Sequence, residues 1–396
     1  TGTLTLDGIF YTTTGSQTYT AATGGGNIDI TNTSGSTFTT TNTAIAFNTS
    51  GVDLENNATT TIDTGAGAGD VTFQGAIETN GGDNDILTVT SGTGTVTFTG
   101  AIGATEELGG LNVNASSGNG VITFTSTIGD SGNAGVIGTT SIGNAATSDL
   151  NFNSTIYKFD GATTITAAAG DTIDMGAGAA TTFTTAADNI TFATGNIELA
   201  NGSNLTVDTG AAGGNITIGE IGGTSVETVT LDAGTGTTSV GVIGSGTEIG
   251  ALSIGSAENG GITLNGAITT DGVVTLDGPI TLATGAISIT TADDAINLQG
   301  TVDGGQALTL SSGSAAITAD GAIGSSTALT SLTVNSSGAG TIEITDIGTS
   351  SAAGVSGATA IGNTSTGTLT LDGTVYTTTG SQTYTAATGG GNIDIT

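Results

Sequence analysis

Residues 366–396, TGTLTLDGTVYTTTGSQTYTAATGGGNIDIT, restate residues 1–31, TGTLTLDGIFYTTTGSQTYTAATGGGNIDIT, at 29 of 31 positions. Only Ile9 and Phe10 change, to Thr374 and Val375. A closed globular core has no reason to begin again in this way. An array does, because each unit covers the exposed end of the unit before it. Residues 1–365 are therefore expected to form one full repeat, with 366–396 starting the next and continuous with the same solenoid.

A shorter and older period lies beneath. GAIGATEELGGLNV (100–113), GVIGSGTEIGALSI (241–254) and GAIGSSTALTSLTV (321–334) align without a gap. So do residues 138–167 and 357–386, and that alignment brings Tyr157 onto Tyr376 and hence onto Tyr11. The sub-repeats 100–167 and 321–386 thus mark a duplicated block nested inside the longer repeat.

Between these landmarks run short triplets of the form apolar–polar–apolar: LTL (4–6), IDI (28–30), VTF (71–73), LTV (87–89), VTF (96–98), VTL (274–276). Period two places aliphatics on one face and Thr, Asn or Asp on the other. Turns rich in Gly, Asn, Asp and Ser separate them. No helical window or linker interrupts the pattern. The chain holds 70 Gly, one Pro, and only 4% aromatic residues. Slim aliphatic strands and glycine corners point to an all-β, parallel β-solenoid, whereas a row of sandwich domains would need larger aromatic cores and a period of about 100 residues.

Charge and composition exclude several classes. There is one Lys, no His and no Cys, against 34 acidic residues, for a formal charge of −33. Without cysteine there is no disulfide scaffold or thiolate metal site. Taking a coil of roughly 20 residues and a rise of about 4.8 Å, the chain carries about one negative charge per 3 Å, approaching the density of duplex DNA. Such a surface repels nucleic acid and should gather divalent cations. No apolar run reaches the ~20 residues of a membrane span. Because Thr1 lies inside a repeat, export and anchoring segments are expected elsewhere in a longer precursor.

The pieces G-x-I-G, L-x-L and T-x-T-x-G-x-Q-x-Y, clearest at Thr3–Tyr19 and Ile361–Tyr384, resemble the giant repetitive surface proteins related to filamentous haemagglutinin. The resemblance implies a right-handed parallel β-helix, secretion, and display as an extracellular filament or adhesin stalk. It brings no catalytic residue with it, and that family's secretion domain has no counterpart in these residues.

Enzymatic roles fit the composition poorly. Lyase chemistry needs a cation and a base, and the chain offers only Lys158. A glycosidase needs two carboxylates a few ångströms apart; the sequence offers Asp293 with Asp294, Asp83 with Asp85, and Glu106 with Glu107, all read as solvated surface acids. For calcium, the turns NGGDND (80–85) and those at Asp63 and Asp70 are candidates, with diffuse screening preferred over a specific site. Sequons at Asn32, Asn48, Asn114, Asn153, Asn204, Asn215 and Asn363 arise readily in so Thr-rich a chain. Tyr19 and Tyr384 are expected to pack at a corner. Lys158 aligns with Thr12 and Thr377, which argues against a role shared by every unit.

The sequence therefore predicts a non-enzymatic extracellular structural fibre or adhesin stalk, with no catalytic, cofactor-binding or metal residues and no cofactor beyond diffuse calcium or other divalent cations. Its partners would be itself, end to end and in lateral bundles, divalent cations, and glycans or a cell surface. The alternatives are a polymer of separate pilus-like subunits and a carbohydrate-binding or carbohydrate-cleaving β-helix.

Overall fold

The computed structural model describes every residue except 1, 23–24, 49–50, 56, 81–83 and 256–259. Among the described residues there is no helix, and the strand-to-strand pairings are parallel. The chain divides into two compact units, Thr1–Gly210 and Ala211–Thr396. Each is a parallel β-solenoid.

In the first unit the coils pass through three faces, to each of which they contribute a short strand or a single bridge. The first face begins Leu4–Leu6, Ile28–Ile30, Val52–Leu54, Ile77–Thr79. It continues through the single bridges Ile77–Ile102, Ile102–Ile128 and Ile128–Tyr157. The second face runs Phe10–Thr12, Ser36–Thr39, Thr59–Asp63, Ile86–Thr90 and onward. The third runs Gln17–Thr20, Ile45–Asn48, Val71–Phe73, Val96–Phe98, Ile122–Phe124, Leu150–Phe152.

The triplet pattern is realised as written. In Val96–Phe98, Val96 and Phe98 are buried and Thr97 faces outward. Register is kept residue on residue: Val71, Val96, Ile122 and Leu150 form one inner column, and Phe73, Phe98, Phe124 and Phe152 form the next. A slip of one residue would turn every apolar side chain to water, and that fixes the register so tightly.

The aromatic column is the main packing feature of the first unit. Tyr19, Phe47, Phe73, Phe98, Phe124 and Phe152 stack with ring centroids 4.9 to 5.3 Å apart. Met175 ends the run in the next register position. The second unit uses aliphatic columns instead: Val229, Leu252, Val274, Ile296, Ile317, Ile342 and Leu369 follow one another on its corresponding face. The 4% of aromatic residues are thus concentrated, not scattered.

The coils are longer than twenty residues. Successive partners in the first unit, from Leu4, Ile28, Val52 and Ile77 onward, lie 24 to 29 apart. In the second, from Val229 to Ile393, they lie 21 to 27 apart. Three strands of three to five residues and three corners need that length. The first unit carries 19 acidic residues and one Lys over about nine coils, or roughly one net negative charge per 2.4 Å of its axis at about 4.8 Å per coil. That is denser than the shorter coil predicts.

The duplication seen in the sequence recurs as structure. Ile102–Ile128, Leu108–Val136, Ile128–Tyr157 and Val136–Phe159 are bridged in the first unit. Their aligned counterparts Ile323–Ile347, Leu329–Val355, Ile347–Tyr376 and Val355–Thr378 are bridged in the second. The G-x-I-G signature also acquires a reason. Its second glycine, Gly103 or Gly324, has a positive φ of 61° or 71°, and its N–H donates to Ile77 O or Val302 O of the preceding coil. A Cβ there would lie 2.0 Å from the carbonyl oxygen of Gly135 or Gly354. Only glycine satisfies both demands.

Candidate functional site: acidic ladder and corner clamps

The strands of the first face place an acid at the same outward position in three consecutive coils. Asp29 is the centre of Ile28–Ile30, Asp53 of Val52–Leu54 and Glu78 of Ile77–Thr79. Pairing aligns Asp29 with Asp53 and Asp53 with Glu78. Carboxylate oxygens of Asp29, Asp53 and Glu55 lie within 4.8 Å of one another. Asn27 Nδ2 donates to Asp53 Oδ2 at 2.6 Å, which relieves part of the repulsion.

Partial burial, and then the charge of Asp53, raise the Asp29 carboxyl above its ordinary range. Glu78 is also raised, chiefly by burial and further by Asp53, although N–H groups of Glu106 and Thr105 at 2.9 and 3.1 Å oppose the shift. Three hard oxygen donors this close could hold a divalent cation. Sequence reasoning did not pick out this group. The signal was IDI and VDL in the same phase 24 residues apart, visible only once the coil length is known.

The acids that the sequence did single out have other duties. Asp293 lies exposed in the turn after Ile287–Thr291, and its Oδ1 accepts Ser314 N of the next coil at 2.9 Å, which lowers its pKa. Asp294 offers its carbonyl oxygen to Thr291 Oγ1. Asp70 Oδ1 accepts Thr95 N at 2.8 Å, and Asp63 Oδ1 accepts Gly65 N at 2.8 Å. Glu106 and Glu107 contribute backbone groups, Glu106 O accepting Thr79 N and Glu107 O accepting Thr79 Oγ1. Asp83 lies outside the described residues. Asp85 is a correction to the solvated-acid reading: it is fully buried, with Ala58 N 3.3 Å from its Oδ1. Asp303 and Asp346 repeat the clamp, accepting backbone N–H groups from Ser326 and Thr327 and from Thr374 and Val375. Asp70, Asp293, Asp303 and Asp346 thus share one motif, a carboxylate tying its own coil to the next.

Tyrosines form the second recurrent feature. Tyr11, Tyr157 and Tyr376 each accept, through the phenolic oxygen, the backbone N–H three residues upstream: Gly8, Ser154 and Gly373, at 2.6, 2.9 and 2.7 Å. Burial pushes the Tyr157 phenol far up. Tyr19 lies on the strand Gln17–Thr20, not at a corner. Its OH donates to Gln17 Oε1 at 2.7 Å, and Gln17 Nε2 bridges to Tyr11 O and Thr39 O. Burial, with a smaller push from Tyr11, takes the Tyr19 pKa to about 12.

Lys158 ties its coil to the one before. Its Nζ donates to Gly132 O at 3.0 Å. The aligned Thr377 donates to Ala352 O at 2.9 Å. Two of the three aligned positions therefore grip an outward loop of the coil before. Three sequons are likewise structural. Asn114 is buried and bonded to Ser91, Asn363 Nδ2 donates to Ser336 O, and Asn32 Nδ2 donates to Asp7 O.

A shallow cleft of about 460 Å³ in the first unit is lined by Asp63, Thr90, Ser116, Ser117, Asn119 and Asn144. Asn144 Nδ2 already donates to Asn114 O and Gly118 O, and no aromatic ring lines the cleft to stack on a sugar. Among the described residues no helix is long and apolar enough to cross a membrane. No protein-family profile matches the chain, and neither any curated protein nor any solved structure matches it.

Proposed function

We propose that this chain is part of a non-enzymatic extracellular structural fibre, an adhesin stalk or surface filament of the kind its sequence pattern resembles, in which the solenoid itself is the working part. The observation that carries the reading is the use made of the polar side chains. Asp70, Asp293 and Asp303 hold backbone N–H groups of the following coil, and the tyrosine–glutamine cluster braces its own strands. Stiffness then comes from stacked backbone hydrogen bonds and close-packed columns.

The acid rows supply the second part of the proposal. Asp29, Asp53, Glu55 and Glu78 concentrate negative charge on one face, where divalent cations would screen repulsion within a filament and between neighbouring filaments. Electron micrographs of the native material test the reading: filaments of uniform width support it, while discrete beads on slack tethers would end it. Glycan-array binding together with release of reducing ends would favour the carbohydrate-directed alternative.

A further inference from the structure

Residues 1–31 and 366–396 share more than sequence. Leu4 pairs with Ile28 and Leu6 with Ile30; Leu369 pairs with Ile393 and Leu371 with Ile395 in the same register. Tyr376, Gln382 and Tyr384 rebuild the bonds of Tyr11, Gln17 and Tyr19: Tyr384 OH donates to Gln382 Oε1 at 2.9 Å and Gln382 Nε2 to Tyr376 O at 3.1 Å. The two copies differ in what lies on their far side.

In the first copy Ile28 and Ile30 are 0% and 1% exposed. They lie beside Val52 and Leu54, in register. Phe38 stacks on Tyr11 at 4.6 Å and 6°, Phe47 stacks on Tyr19 at 5.2 Å, and Gln17 Nε2 reaches Thr39 O at 2.9 Å. In the last copy Ile393 and Ile395 are 45% and 76% exposed. The structure thus displays both the open surface and, on a nearly identical coil, the segment that covers it.

We propose that the open side of residues 366–396 is a stacking site for a second copy of residues 32–54, held in the register in which residues 1–31 already hold them. The occupant must present two rings over Tyr376 and Tyr384, two aliphatics beside Ile393 and Ile395, and a parallel backbone edge with a carbonyl at the place of Thr39 O. Residues 32–54 meet all of these at once. The joint rests on the array reading above and adds its contacts: Phe38 of the second copy over Tyr376, Phe47 over Tyr384, and Val52 and Leu54 against Ile393 and Ile395.

The test compares three proteins by amide exchange at Gln382–Tyr384 and Ile393–Ile395. They are the chain itself, the chain extended after Thr396 by a copy of residues 32–79, and that extended chain with V52D and L54D in the appended copy only. Exchange at Ile393–Ile395 should slow at least a hundredfold in the extended chain and return to its original rate in the doubly substituted one. The Tyr384 phenol should also titrate higher in the extended chain, toward the value of about 12 that burial gives Tyr19. Unchanged exchange in the extended chain would overturn the proposal. So would protection of Ile393–Ile395 in the unextended chain that grows with concentration, because the occupant would then be the first coil of another molecule. Either result leaves the fibre reading to the micrographs, so the two ideas can fail separately.

Discussion

Replacing Phe98 by Ala should damage a few coils and spare the rest. Phe98 is 1% exposed and sits between Phe73 at 5.3 Å and Phe124 at 4.9 Å. Truncating a buried Phe costs about 3–5 kcal/mol, including two lost ring stacks of about 0.5–1.5 kcal/mol each. The column cannot collapse around the hole, because Phe73 and Phe124 are fixed in register by the backbone ladders of their own strands; the upper half of the range is therefore expected. At about 1.4 kcal/mol per tenfold, local opening should become on the order of a thousandfold more frequent. In a one-dimensional stack each coil depends mainly on its neighbours. Exchange should thus accelerate in Val71–Phe73, Val96–Phe98 and Ile122–Phe124 and stay unchanged in Ile393–Ile395. Hydrogen exchange read by mass spectrometry resolves these segments. Uniform acceleration along the chain would refute the reasoning, since it would mean that the molecule melts as one globular body.

Four further outcomes are expected. Gly120→Ala would place a Cβ 1.7 Å from Gly94 O and should cost more than about 3 kcal/mol in a thermal melt, whereas Gly305→Ala meets nothing within 4 Å and should change stability by less than about 1 kcal/mol. Asp29 and Glu78 have raised folded-state pKa values, so the native state binds protons more tightly than the unfolded chain. Stability at the first face should therefore rise as pH falls through the carboxylate range; Asp29→Asn should stabilise at neutral pH and flatten that dependence, and a denaturation series against pH will show whether it does. Spectrophotometric titration should find Tyr19 still protonated near pH 11, its contribution to stability being lost as pH rises from about 10 toward about 12. Trypsin should leave the native chain intact, because Lys158 is its single target and lies in the strand Ile156–Lys158 with its N–H bonded to Ile128 O; after denaturation the enzyme should give two fragments.

The parallel coil was readable because triplets such as Val96–Phe98 write their own burial, one residue in and the next out, with glycine at the corners. The number of strands per coil was not, since the spacing between triplets varies with corner length and low-complexity corners look alike. That single unknown concealed the acidic ladder: with a coil of twenty residues Asp29 and Asp53 fall out of phase, and with 24 they meet. Asp85 was misjudged for a related reason. A polar residue within a Gly–Asn–Asp run reads as solvent-facing, yet the Asp85 side chain is fully buried.

Within each unit coils of different length, 24 to 29 residues in the first and 21 to 27 in the second, keep their inner columns in step, with the surplus carried in outward loops such as residues 129–135 and 348–354. A gene encoding such a protein tolerates unequal crossing-over. A recombinant that gains or drops a whole number of coils still presents matching columns at the seam, whereas one that cuts within a strand does not. Natural isolates should accordingly differ by whole coils, making length a heritable and readily adjusted trait.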